Sequence, residues 1–317
     1  MRMALALKPA QLRLIVEVAE QRQLQLAAEA MGLTQPAASR MLAEVERMAG
    51  AVLFLRQPKG MEPTEAGAVV IRRARAILRE MRSMAAEVQA LEGGMGGTVR
   101  VGAVTGPAVG LLVPAIRTLK RAAPEAEVTV EVAPSRELLR QLSAGEIDFA
   151  LGRVLPEFDS RAFEVHPMRD EKLALLVRLG HPLARAPSVT LTQLMDYEWI
   201  MQDRGAPIRE ATLEAFGAVG LAEPKNIVGS PSLLFMLAYL SQSDAVAAMS
   251  EEVAQLLTRP PVGAGFTALT LPREVRVAPY YLLSLRRRPL SPVALRLRDL
   301  VISLAEQPPY DGDGRPA

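Results

Sequence analysis

The run VAEQRQLQLAAEAMGLTQPAASRMLAEVERMAGAVLF, Val18 to Phe54, holds two short helical patterns separated by a sharp break, and its reading decides the fold. The first pattern, about Leu24 to Met31, is stopped at Gly32, where a left-handed residue commonly closes a helix. Thr34 then stands as N-cap of the next helix, with Pro36 in the first turn, where its missing N–H costs nothing. On this helix Ala38, Met41, Leu42 and Val45 recur at i, i+3, i+4 and i+7 and define a packed face. At about 100° per residue the opposite face carries Pro36, Ser39, Arg40, Ala43 and Arg47, with Gln35 at the helix start. Such a face is small, polar and basic, which suits a DNA major groove: Arg reads guanine edges or phosphate, Gln suits adenine, and small side chains permit close approach. A solvated helix face would look similar in isolation, so the neighbouring segments matter.

Upstream, Leu12, Ile15, Val16 and Ala19 make the stripe of an earlier helix. Downstream, Arg56, Gln57, Pro58, Lys59 and Gly60 form a polar turn between two short extended pieces, a candidate wing that adds Arg56 and Lys59 to the DNA-binding set. Thr64 caps a fourth helix running to about Glu92, roughly 43 Å long at 1.5 Å per residue. Along it Val70, Ala74, Ile77, Met81, Met84, Val88 and Leu91 alternate spacings of four and three, a heptad seam that one helix cannot bury alone and that predicts pairing of two chains. Arg72, Arg73, Arg75, Arg79 and Arg82 occupy the other faces. Gly93, Gly94, Gly96 and Gly97 end the helix and supply a hinge.

From Thr98 the period changes. Val99 to Val104, Gly110 to Ala122, Glu127 to Ala133, Ser135 to Ala144 and Ile147 to Leu151 read as βαβαβ. A similar series recurs from Leu173 to Val177 through Trp199 to Met201, Ile208 to Val219, Ile227 and Val228, Leu233 to Leu240, and Ala245 to Met249. Two such lobes enclose a cleft, and parallel strands place ligands at their carboxyl ends. The candidates there are Thr105 and Gly106, Ser135, Arg153, Gln202 and Asp203, and Ser230, each of which alone could serve only as a cap. Unpaired N–H groups at a helix start favour an anion, so the expected effector is an anionic metabolite, a small organic acid, with Asp203 accepting bonds from its hydroxyls. The strand Tyr280 to Leu285 and the helix Pro292 to Glu306 are expected to return to the first lobe. A tail from Gln307, rich in Pro, Gly and Asp, is expected to be flexible.

The 317 residues are half apolar, and 37 basic against 35 acidic side chains leave a net charge of only +2. A polycation that coats nucleic acid indiscriminately is thereby excluded, and any DNA contact must be local. With no cysteine, disulfides, thiolate metal sites and cysteine nucleophiles are excluded. His166 and His181, each followed by Pro, have no metal-ligand spacing and read as structural; no metal and no cofactor is expected. No P-loop, nucleophile elbow or paired acid motif nominates catalysis. The N-terminus lacks a secretory pattern and no apolar run is long enough to span a bilayer, so no membrane contact and a cytoplasmic location are expected. A transport receptor or an enzyme on the same two-lobed fold is the competing reading; neither needs the helix-turn-helix.

From Leu12 to Gly67 the chain resembles the LysR-type transcriptional regulators, on Ala27, Ala28, Thr34, Gln35, Pro36, Ser39, Glu46, Gly50, Leu53, Phe54 and Thr64 to Gly67. It departs from them at Gln23 and Leu24, in place of Ser-Phe, and in the Gln-Pro after Arg56. The resemblance implies an α/β chain: a winged helix-turn-helix, a linker helix and a two-lobed effector domain like a type 2 periplasmic binding protein. The corresponding boundaries are 1–63, 64–92 and 93–306, with lobe one at 98–170 and 272–306, lobe two at 171–271, and the tail at 307–317. It also implies double-stranded operator DNA, a small-molecule effector, a homodimer or homotetramer, and RNA polymerase as a further candidate partner. His181 with Pro182, Leu183 and Ala184 looks like a family loop joining the lobes. The Gln23 region and Ser243 to Ala254 are similar to the subgroup near galactose-binding-protein and protocatechuate regulators.

Overall fold

The computed structural model describes residues 7–58, 60–91, 97–263 and 265–306; Lys59, the hinge at Gly93, Gly94 and Gly96, and the tail lie outside the described residues. The chain divides into two compact units, Met1–Gly97 with Ser143–Glu146, and Thr98–Leu142 with Ile147–Ala317.

In the first unit α1 (Pro9–Gln21), α2 (Leu24–Ala30) and α3 (Gln35–Ala49) precede a hairpin of β1 (Phe54–Gln57) and β2 (Gly60–Pro63), followed by α4 (Glu65–Leu91). Arg56 and Gln57 are strand residues, not turn residues: the antiparallel register pairs Arg56 with Met61 and Gln57 with Gly60. Gly32 takes a φ of 65° after α2, the left-handed stop expected from the sequence. The core gathers Leu14, Ile15, Val18, Leu24, Ala27, Ala28, Ala38, Leu42, Val45, Leu53, Phe54, Met61 and Ile71. The inward face of α1 is therefore rotated from the expected stripe, with Leu14 and Val18 fully buried and Val16 and Ala19 only half-buried. Gly67 passes so close to the Leu53 carbonyl that a Cβ there would collide with it. The first turn of α4 can lie on the wing strand only because that side chain is missing.

The second unit begins with β3 (Gly97–Ala103), then α5 (Thr105–Pro107), a π turn (Ala108–Leu112) and α6 (Val113–Ala122) as one helical run. That run starts at Thr105, five residues before the expected Gly110. It continues with β4 (Ala126–Val132), α7 (Ser135–Ser143), β5 (Phe149–Gly152) and β6 (Phe163–Pro167). Residues 168–170 then cross to β7 (Glu171–Arg178), α8 (Leu191–Leu194), β8 (Trp199–Met201), α9 (Pro207–Ala218), β9 (Ile227–Gly229), α10 (Leu233–Leu240), β10 (Val246–Ser250), α11 (Glu251–Thr258), β11 (Phe266–Leu269) and β12 (Arg276–Val277). A second crossing leads back to β13 (Tyr281–Leu285) and α12 (Pro292–Glu306). The first lobe's sheet has the order β4-β3-β5-β13-β6 and the second's β11-β7-β10-β8-β9, so β13 does return to lobe one. Pairing is parallel for β3 with β5 and for β8 with both β9 and β10, which sets their carboxyl ends side by side.

The loop at His181 does not join the lobes. It follows β7 within lobe two, where Leu183 and Ala184 pack on that lobe's core and the His181 ring lies 4.5 Å from Tyr197. The joining segments are 168–170 and 278–280.

Candidate nucleic-acid interface and effector cleft

Periodicity alone orients α3. Ala38, Leu42 and Val45 are buried, while Gln35, Pro36, Arg40, Ala43 and Arg47 are exposed and Ser39 is half-buried. Among the described residues, Gln35, Arg40 and Arg47 meet no hydrogen-bond or ionic partner within the chain. Thr34 occupies the N-cap position without a side-chain bond. Glu46, one residue before Arg47, turns inward instead: its Oε1 accepts the backbone N–H of Leu53 at 2.8 Å and of Phe54 at 3.3 Å, tying α3 to the wing strand. Thr64 anchors the other end of the wing, donating to the Val52 carbonyl at 2.8 Å and accepting the Gly67 N–H at 2.9 Å. Arg56 is exposed on β1. Two anchors escaped the sequence reading. Gln11 is buried and donates to Glu44 at 3.0 Å, and Arg22, in a left-handed conformation with φ 56°, offers its carbonyl to Met61 N at 2.7 Å.

On α4 the seam residues fall into two groups. Val70 packs inward on its own unit beside Ile71 and Ala74 is buried, whereas Ile77, Met81, Met84 and Val88 are 47%, 39%, 61% and 55% exposed. The side chain of Leu91 lies outside the described ones. Arg75 bonds to Glu20 of α1 at 3.2 Å, so this arginine braces α4 on its own domain.

In the two-lobed unit the candidate residues also divide. Val104 N donates to Leu151 O at 2.9 Å, which sets Thr105 beside the end of β5. The Ser135 hydroxyl accepts Arg153 N–H at 3.0 Å, and the Arg153 guanidinium donates Nε to Ala278 O at 2.9 Å while pairing through Nη2 with Glu171. Both charged side chains are buried. Arg153 therefore holds the second inter-lobe crossing and the start of β7, where the first crossing ends, while its backbone N–H is accepted by the Ser135 hydroxyl. Ser230 does not cap α10. The N-cap is Ser232, whose hydroxyl accepts Phe235 N–H at 3.3 Å, and Ser230 Oγ accepts Ser232 N–H at 3.2 Å. Ser230 N donates to Met201 O at 3.0 Å, bringing it next to Gln202.

Thr105 and Gln202 are half-buried, Asp203 is exposed, and among the described residues the three side chains have no partner. Behind Gln202, the buried Arg209 donates to its carbonyl at 3.1 Å and to Glu223 at 2.6 Å, fixing the loop that presents Gln202 and Asp203. Burial holds His181 below its usual range, in keeping with a neutral ring whose Nδ1 accepts Leu183 N–H at 3.0 Å. His166 is exposed on β6. No group of three or more metal-ligating side chains occurs among the described residues.

A free basic helix face, a wing braced against it and a separate two-lobed domain with parallel strand ends define a transcription regulator with a sensor domain. The chain belongs to the LysR family: residues 9–68 match the description "Bacterial regulatory helix-turn-helix protein, lysR family" and residues 92–305 match "LysR substrate binding domain". It is 40% identical over 248 residues to the HTH-type transcriptional regulator GbpR of Rhizobium radiobacter, covering 78% of this chain and 82% of that one. To the GbpR of Azospirillum brasilense it is 35% identical over 289 residues, covering 91% and 84%. In fold it is similar to full-length CbnR complexed with its target DNA, with a TM-score of 0.71 and 23% identity over 94% of this chain and 100% of that one. The protein is thus a DNA-binding transcriptional regulator with an effector-binding domain, not an enzyme. Among the described residues no helix is long and apolar enough to cross a membrane.

Proposed function

We propose that α3 reads an operator in the major groove through Gln35, Pro36, Ser39, Arg40 and Arg47, with Arg56 and Lys59 of the wing on the flanking backbone. The observation that carries this reading is the partner-free, exposed state of Gln35, Arg40 and Arg47 on one helix face. A surface arginine that braces its own fold has an acid to hold, as Arg75 does with Glu20. Arg40→Ala should weaken operator binding by about 1 to 3 kcal/mol, read by fluorescence anisotropy on a duplex selected by the wild-type protein. Unchanged affinity would reject α3 as the reader.

Ile77, Met81, Met84 and Val88 form an exposed apolar stripe that a second chain would cover, giving a homodimer or, by pairing of dimers, a homotetramer. The effector is a small organic acid bound between the lobes, at Thr105 on one side and Gln202 and Asp203 on the other. Of the proposed contacts these three keep their side chains uncommitted, while Ser135, Arg153 and Ser230 act behind them. The domain limits follow as 1–63, 64–92 and 93–306, and the protein works in the cytoplasm, where operator and RNA polymerase are found.

A further inference from the structure

The helical run at 105–112 meets lobe two through the Val109 side chain and, on either side of it, through the bare backbone of two glycines. Gly106 and Gly110 are four residues apart and so share a face. A Cβ on Gly106 would stand 2.5 Å from Glu171 Oε1 and 2.8 Å from Ser250 Oγ, and one on Gly110 would stand 2.8 Å from Glu252 Cγ. The two glycines therefore let lobe one settle directly on the junction of β10 and α11. At that junction Ser250 is 4% exposed, and among the described residues neither its Oγ nor the buried Glu252 Oε2 has a hydrogen-bond partner.

A carboxylate with one buried oxygen that no donor meets is costly while ionised, and the simplest relief is a proton. Burial pushes the Glu252 carboxyl above its usual range, and the charges of Glu171 and Glu251 add to this; its own backbone N–H and the proximity of the Ser250 hydroxyl, which forms no hydrogen bond in this geometry, act the other way. The surrounding charges are otherwise settled. Glu171 on β7 is paired with Arg153, just after β5, Glu251 on the same helix lies near Lys172, and burial raises the Tyr280 phenol above its usual range. Residues 105–112, β10 and β11 bring no titratable side chain to the contact.

We propose that Glu252 is a proton-linked latch between the lobes, neutral while the Gly106–Gly110 backbone covers it and ionised once the lobes part and water reaches it. Closure takes one proton from solvent onto the carboxylate, and opening returns it. Acid then favours the covered arrangement, and any effector that prefers this arrangement binds with proton uptake. The latch rests on the lobe contact and not on the identity of the effector.

Because the chain has no cysteine, cysteines introduced at exposed Arg117 of α6 and Glu214 of α9 will be the only spin-label sites. Double electron–electron resonance on the full-length protein, diluted with unlabelled chains, reads the distance between lobes. In otherwise wild-type protein the distribution should move to longer distances as pH rises from about 5 to about 8. Glu252→Gln, a neutral near-isostere, should hold the acid distribution at both ends of that range. Gly110→Ala, whose Cβ meets Glu252, should give the long distances even in acid and supplies a second arm if the Gln variant does not fold. A wild-type distribution that ignores pH, a Glu252→Gln protein that still responds to it, or a Gly110→Ala protein that follows the wild type would overturn the latch.

Discussion

The two regions proposed to meet ligands use arginine in opposite ways. Among the described residues Arg40 and Arg47 on α3 are exposed with no partner, whereas Arg153, at the strand end where an effector would approach, is buried with its guanidinium held by Ala278 and Glu171 and its backbone N–H by Ser135. A long, polyvalent donor left unsatisfied on a surface is available for phosphate or a base edge. The same donor enclosed with its counter-charge holds the fold together, because either partner alone would be a buried, uncompensated ion. Polar residues at strand ends thus mark an approach to the cleft without identifying which of them touch the ligand.

The largest effect should come from dismantling the buried pair. Glu171→Ala leaves the Arg153 guanidinium enclosed and is expected to cost about 3 to 5 kcal/mol of stability in urea unfolding. A loss no greater than an exposed pair's would mean that Arg153 has water or freedom to move. Next, Ile77→Asp should convert the assembly to monomers in sedimentation, since a carboxylate would have to be desolvated against an apolar partner. An unaltered assembly would place that stripe outside the interface. In the cleft, Thr105→Val should lower effector affinity by about 1 kcal/mol, the usual size of a lost hydrogen bond, in calorimetry with a panel of organic acids. If Ser230→Ala lowers it as much and Thr105→Val does not, the division into free and committed residues is reversed.

The smallest effect is a pH slope. Burial lowers the His181 pKa, so its contribution to stability is present above the unfolded value of about 6.5 and is lost as pH falls through the folded one. Wild type should therefore lose melting temperature on acidification relative to His181→Asn, which keeps an acceptor for Leu183 N–H. Parallel curves would remove His181 from the titration.

The face of α3 was legible because its signal is local: one helical period separates Ala38, Leu42 and Val45 from Gln35, Arg40 and Arg47. Glu46 belonged to the recognised pattern, yet its role as acceptor for Leu53 and Phe54 depends on where the wing turns. The commitment of Arg153 had no local sign, since Glu171, the first residue of β7, lies 18 residues away and Ala278, on the second crossing, lies 125 residues away. The early start of the helix at Thr105 was hidden by Gly106 and Pro107, which read as loop residues but here let backbone approach lobe two and open the first turn. The seam on α4 repeats evenly in sequence, but of its first positions Val70 is claimed by the N-terminal core and Ala74 is already buried within the single chain, so neither is left for a partner.

The central contrast is tested most directly by measuring operator affinity and melting temperature together for Arg40→Ala and Arg153→Ala. Arg40→Ala should lose affinity at an unchanged melting temperature, and Arg153→Ala should lose melting temperature first. An Arg40→Ala protein that binds its operator like wild type, or that melts as early as Arg153→Ala, would contradict the account.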